Sequence, residues 1–435
     1  MTSLPQTHSG SRLRPYPKYK DSGVEWLGRI PEHWEVKPLK RLGVVKGGNG
    51  FPDEEQGVEN EELPFYKVSD MNLEGNGVVM CTHNNSVSRN TARRLGASIF
   101  LPDAIVFPKV GAALLTNKRR ILSRAACIDN NTMAFTVSEG SVKFLFYRLV
   151  CIDLGRLANP GAVPSLNEKE AGEIAVGVPP AVEQHSIASF LDRETAKIDA
   201  LVAKKERLIE LLQEKRTALI SHAVTQGLNP DAPKKDSGIP WLGRIPAHWE
   251  VKRLKFLFFN LDSRRRPLSG EERATMEKEY PYYGASGIID RVEDYIFDEP
   301  LILVAEDGAN LFSRSTPLAF PASGKYWVNN HAHILKPMDG MVDYWSQVLA
   351  TVVYDPWISG SAQPKLTSEN LGTIPLSVPP IRERKEILGF LDSETAKLDA
   401  LTAKVRAAIE RLQEYRTALI SAAVTGQIDV REEAA

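Results

Sequence analysis

The sequence predicts a mixed α/β (α+β) fold: two globular domains, and two long helices that pair as an antiparallel intramolecular coiled coil. The arrangement is pseudo-two-fold and circularly ordered. Three observations predict it. Two blocks of sequence each occur twice, one block is an unbroken helix with an apolar heptad stripe, and the stretches between blocks are strand-rich. At 435 residues the chain is also too long for one compact core.

The first block is DSGVEWLGRIPEHWEVKPLK at 21–40, repeated as DSGIPWLGRIPAHWEVKRLK at 236–255. Sixteen of twenty letters agree at an offset of 215. The second block, 190–225, recurs at 390–425 with an offset of 200. The segments between the blocks, roughly 41–177 and 256–377, show little resemblance to each other. Four parts follow: 1–180, with the first block and first variable domain; 181–226, a central helix; 227–380, with a linker, the repeated block and the second variable domain; and 381–435, a C-terminal helix.

The second block carries no Pro or Gly from 190 to 225 and is rich in helix formers. One heptad position holds Leu191, Ile198, Lys205, Leu212 and Leu219, and its copy holds Leu391, Leu398, Val405, Leu412 and Leu419. The other seam position is read as Leu201 and Leu208, then Leu401 and Ala408. Each helix could pack on its own domain, but each stripe is the natural partner of the other. A helix of about 35 residues spans about 50 Å, or roughly 15 base pairs of B-DNA.

The variable segments hold short apolar runs between turn residues, such as AIVFP, MAFTV, LILVA and HAHILKP, and read as strands. The parts are circularly ordered because the first block has no helix before it and the last helix no block after it. If the halves are equivalent, residues 21–40 dock beside the end of helix 390–425.

The composition is 43% hydrophobic and 25% charged, ordinary for a globular chain. Three cysteines without a CxxC pair argue against a disulfide or thiolate-zinc framework and fit a reducing cytoplasm. The first twenty residues lack the apolar run of a signal peptide, and no stretch approaches the ~18 apolar residues of a membrane span. The sequence has no GxxxxGK[ST], strand-linked GxGxxG, HExxH or GxSxG motif, so catalysis by this chain alone is not expected. Two histidines in NNHAH (329–333) could form half a metal site, but no Cys or carboxylate cluster accompanies them in sequence, and no metal or other cofactor is assigned.

Charge is more informative. The formal net charge is −1, yet residues 89–124 hold eight basic side chains against one acid, Asp103, for a local net of +7. The eight are Arg89, Arg93, Arg94, Lys109, Lys118, Arg119, Arg120 and Arg124. The second variable segment carries Arg264, Arg265 and Arg266, with Tyr283, Ser286, Lys325, Asn329, Asn330 and His331 further on. Such cations neutralise phosphates, and Asn and Arg pair with adenine and guanine edges. Taken singly, each cluster could also be a solvated face, and the aromatics could be core.

Several phrases carry a family likeness. YKDSGVEWLGRIPEHWEV, VPPAVEQHSIASFLDRETAKID and LLQEKRTALIS resemble the conserved regions of the specificity (S) subunits of type I restriction–modification enzymes. YPYYGASGIIDRV, ILVAEDGANL and WVNNHAHIL resemble elements of their target recognition domains. LPFYKVSDMN and FPKVGAALLTNKRRILSRAACIDNNTMAF look like a recognition domain of another subclass, so the two half-sites should differ. The resemblance covers nearly the whole chain. It implies a non-catalytic subunit that binds double-stranded DNA at a bipartite, asymmetric target and anchors two methyltransferase (M) subunits, with restriction (R) subunits in the full complex. S-adenosylmethionine, ATP and magnesium are then expected on those partners, in the cytoplasm and away from membranes. The competing reading is a coiled-coil scaffold for proteins, without direct DNA readout.

Overall fold

The computed structural model describes residues 14–159, 163–360 and 363–432. Most of the N-terminal stretch read for a signal peptide lies outside them. The chain divides into two compact units, 1–205 with 407–435, and 206–406. Two long helices, Ala181–Gln226 and Ile381–Val424, each contribute to both units. Both start directly after a Pro-Pro pair, where prolines need no intrahelical N–H partner. Past their ends stand Gly227 and Gly426, at φ of +73° and +72°, left-handed positions that suit glycine.

The helices pair antiparallel. In the first unit, Asp199 accepts from Arg416 Nε and Nη2 at 2.9 and 3.2 Å. The 200-residue offset turns this pair into Asp399 with Arg216, which meet at 3.4 Å in the second unit. Leu191, Ile198, Leu419 and Ile420 share the first unit's core. The second seam departs from the sequence reading. Leu208 and Leu401 are exposed, at 39% and 43%, and Leu201 is only partly covered. One residue on, Thr195 is buried and Val202, Ile209, Thr402 and Ile409 are half-buried, as is Ala408 of the expected seam. Steps of three and four both follow one helical stripe, and the partner lies on the four-step side.

The variable segments share a strand pattern that their sequences conceal. In the first unit a five-stranded sheet runs in the order Gly43–Gly47, Thr132–Val137, Ile105–Pro108, Arg120–Leu122, Val79–Met80. In the second, a four-stranded sheet runs Phe258–Asn260, Ala332–Pro337, Leu301–Ala305, Ala319–Ala322. A smaller sheet in each places one strand between a parallel and an antiparallel neighbour: Leu63–Tyr66 in the first unit, Tyr280–Gly284 in the second. Backbone hydrogen bonds define this frame, so different apolar side chains can fill it.

The twice-written phrase forms a joint. Trp34 and Trp249 are fully buried. Trp34 Nε1 donates to Glu183, in the first turn of the first long helix, at 2.9 Å, and His33 Nε2 lies 2.7 Å from the same carboxylate. Trp249 and His248 treat Glu383 alike, at 3.0 and 2.7 Å. A Cβ on Gly426 would fall 2.4 Å from Pro31 and 3.3 Å from Trp34. A Cβ on Gly227 would fall 3.2 Å from Trp249. Each phrase thus clamps the start of one long helix and the end of the other. In the first unit this bears out the docking of 21–40 beside the last helix, and Asp429 N donates to Arg14 O at 2.7 Å.

Candidate nucleic-acid interface

The eight basic residues of 89–124 do not form one surface. Arg119 is 2% exposed. Its Nη2 donates to the Ile152 carbonyl at 2.6 Å and its Nη1 to Asn117 at 3.3 Å. Burial pushes its pKa down to about 10, so it stays charged at neutral pH but faces protein. Arg120 donates to the carbonyls of Asn76, Arg119 and Met71. Neither is the DNA contact expected from the sequence: Arg119 is buried away from solvent, and each nitrogen of half-buried Arg120 is turned inward onto a backbone carbonyl, so both act as braces. Arg94 pairs with Glu55, Arg89 Nε lies 3.8 Å from Glu62, and Lys118 donates to Asn72. Arg93 is exposed and Lys109 half-buried, and neither has a side-chain partner among the described residues. Exposed Arg124 has one side-chain hydrogen-bond partner among the described residues, His83 at 3.5 Å.

The triple arginine of the second unit divides in the same way. Arg264 lies over the Phe297 ring and bonds Glu299 and the Ile296 carbonyl. Arg265 pairs with Glu306 and donates to the carbonyls of Asn330 and Ala332 at 3.2 and 3.0 Å, so it holds a loop and is also withdrawn as a DNA contact. Arg266 is exposed, with no side-chain partner among the described residues.

Tyr283 is half-buried and packs against Tyr326 and Phe320 at the edge of the core, and burial raises its pKa. Ser286 is exposed at a hairpin tip, and Lys325 lies over the Tyr295 ring. Asn329 is 4% exposed; its Oδ1 accepts from His331 N at 2.8 Å, so it shapes the turn and does not face outward. Asn330 and His331 are exposed. His331 Nδ1 lies 2.9 Å from both Asp307 oxygens.

Behind that loop, Asp262, Glu306 and His333 bring three potential metal-ligand atoms together. Their atoms are engaged by protein. His333 Nδ1 is 2.6 Å from Asp262 and its Nε2 2.7 Å from the Leu366 carbonyl. Arg265 and Lys365 pair with Glu306. Burial alone would raise both carboxylates. The hydrogen bonds and cations around them, led by His333 for Asp262 and by Arg265 for Glu306, together outweigh it and hold both below the usual range. The cluster reads as a buried ion network under an exposed loop. Sequence reasoning missed Asp262, Glu306 and Asp307 because they lie 24 to 71 residues from the histidines they touch.

Comparison with known proteins matches residues 31–211 and 246–411 to the family described as "Type I restriction modification DNA specificity domain". A Haemophilus influenzae protein described as a type I restriction enzyme specificity subunit, S.HindORF215P, is 33% identical over 138 residues, 31% of this chain and 34% of that protein. That alignment thus spans about a third of the relative's length. A Methanocaldococcus jannaschii protein described as the MjaX specificity subunit is 23% identical over 432 residues, 93% of this chain and 96% of its own. A solved structure from work on complex assembly and conformational transition of the type I R-M system has a TM-score of 0.66 at 12% identity. It covers 91% of this chain and 98% of that one, a likeness of fold.

Proposed function

This chain belongs to the type I restriction–modification DNA specificity family, and from that premise we propose that it reads a bipartite, asymmetric DNA sequence. Each of its two heads reads one half-site. One observation carries the proposal: a single chain holds the same strand frame twice, filled by unrelated side chains. A shared frame supplies a common way of meeting DNA, and divergent side chains supply different letters.

The chain itself is non-catalytic in this reading. It anchors two M subunits, and through them R subunits, in the cytoplasm. S-adenosylmethionine serves adenine methylation on the M subunits, and ATP and magnesium serve the R subunits. Exposed Leu208, Leu211 and Leu401 on the long helices suit a protein partner there. The cations Arg93, Lys109, Arg124 and Arg266 supply phosphate contacts.

The deciding experiment maps methylated adenines in DNA from cells carrying this chain with its M subunit. A two-part sequence with unlike halves and a fixed unread spacer is the expected result. A complex that binds no DNA even at low salt would leave the scaffold reading in its place.

A further inference from the structure

The two heads share more than strand order: the loops at one end of each main sheet are tied by the same backbone bonds. Lys109 N donates to Asn131 O, and Glu306 N to His331 O, each at 2.9 Å. Leu166 N donates to Lys109 O at 2.9 Å, and Leu366 N to Glu306 O at 2.7 Å. Val110 bridges Ser165, and Asp307 bridges Lys365. A glycine with positive φ follows in each, Gly111 at +70° and Gly308 at +96°.

On this common backbone the side chains are exchanged. Lys109 stands where the second head has Glu306, Val110 where it has Asp307, Asn131 where it has His331, and Ser165 where it has Lys365. In the first head these loops border a cleft of about 700 Å³ that also takes in Asn130, Asn159 and Asn167. Asn130 and Asn131 are exposed, and their amides have no partner among the described residues. In the second head the Asp307 carboxylate holds His331 by Nδ1, which leaves Nε2 as the unspent edge of the ring. A fixed backbone carrying unspent, exchanged polar groups suits the reading of base edges, where donor and acceptor patterns differ by letter.

We propose that these three loops are the base-reading surface of each head, with Asn130 and Asn131 reading one half-site and Asn330 and His331 the other. Asp307 is a positioning residue that fixes the tautomer of His331. The assignment rests on the reading of the chain as a DNA specificity subunit. The free amides of Asn130 and Asn131 match the donor–acceptor pair of adenine.

The test uses the whole chain with its M subunit. Methylated adenines are mapped for wild type, for Asn130→Ala with Asn131→Ala, and for His331→Ala, with thermal melting of each complex as the folding check. All three side chains are exposed, so melting should not change. The first variant should relax letters in one half-site only, with about tenfold or greater loss of discrimination there. The second should do the same in the other half-site only, and Asp307→Asn should follow His331→Ala in the same letters. Wild-type letters in all variants, or an equal loss at every site with no letter relaxed, would overturn the assignment. A wild-type complex that methylates no two-part sequence overturns the underlying reading, and this assignment with it.

Discussion

Arg119 and Arg93 stand in one basic run, and burial gives them opposite roles. Arg119→Ala leaves the Ile152 carbonyl without its donor and opens a hole in a packed site. A loss of about 2–3 kcal/mol of stability is expected, read as a fall in melting temperature. Arg93→Ala with Arg124→Ala should leave melting unchanged and weaken DNA binding across all sequences. The slope of log K against log salt should shrink by about 0.9 for each phosphate that is no longer neutralised. Unchanged binding by that double variant would put both on a solvated face. The run's charge was legible in the sequence, but the direction of each side chain was not. Arg119 is held inward by the Ile152 carbonyl, a partner distant in sequence that local pattern does not reveal. His331 was legible as a candidate, and Asp307, which orients it, was not.

At the level of elements, periodicity revealed both long helices and one of their two seams. The second seam was misplaced because an isolated stripe does not say on which side its partner lies. The strand frame shared by the heads was hidden for another reason. Backbone hydrogen bonds build it, and such bonds leave little trace in side-chain identity. The ion network of the second head gives a pH prediction at this scale. Asp262 and Glu306 are held below the usual carboxylate range. Their contribution to stability is therefore full above the unfolded value of about 4, and it is lost as pH falls through the lower folded values. Asp262→Asn should cost more stability at pH 7 than at pH 3, read by urea unfolding at both. Equal costs would mean that the charge of Asp262 is not what holds the loop.

For the whole molecule, the circular order of parts was readable from the repeat alone, and the joint explains it. The first joint brings the end of the last helix onto the first phrase: Asp429 is bonded to Arg14, and Trp34 lies on Gly426. Its continuous equivalent at the second joint is the short stretch from Gly227 to Lys234, where residues 228–231 are exposed. If the long helices set the spacer, removing one heptad from each, about 10 Å, should shorten the unread spacer by about three base pairs. A spacer that stays the same would take that role from the helices. If the two joints are equivalent, the chain can also be opened at the second one. A chain with its termini joined by a flexible linker and reopened at 228–231 keeps both phrases, both heads and both helices. It should assemble with its M subunit and methylate the same two-part sequence. Each joint is held by pairs distant in sequence, Trp34 with Glu183 and Trp249 with Glu383, and covalent continuity through the turn adds little to them. A permuted chain that folds but methylates a different sequence would show that chain order sets the register of the heads. One that fails to fold would show that the 227–234 turn carries stability of its own.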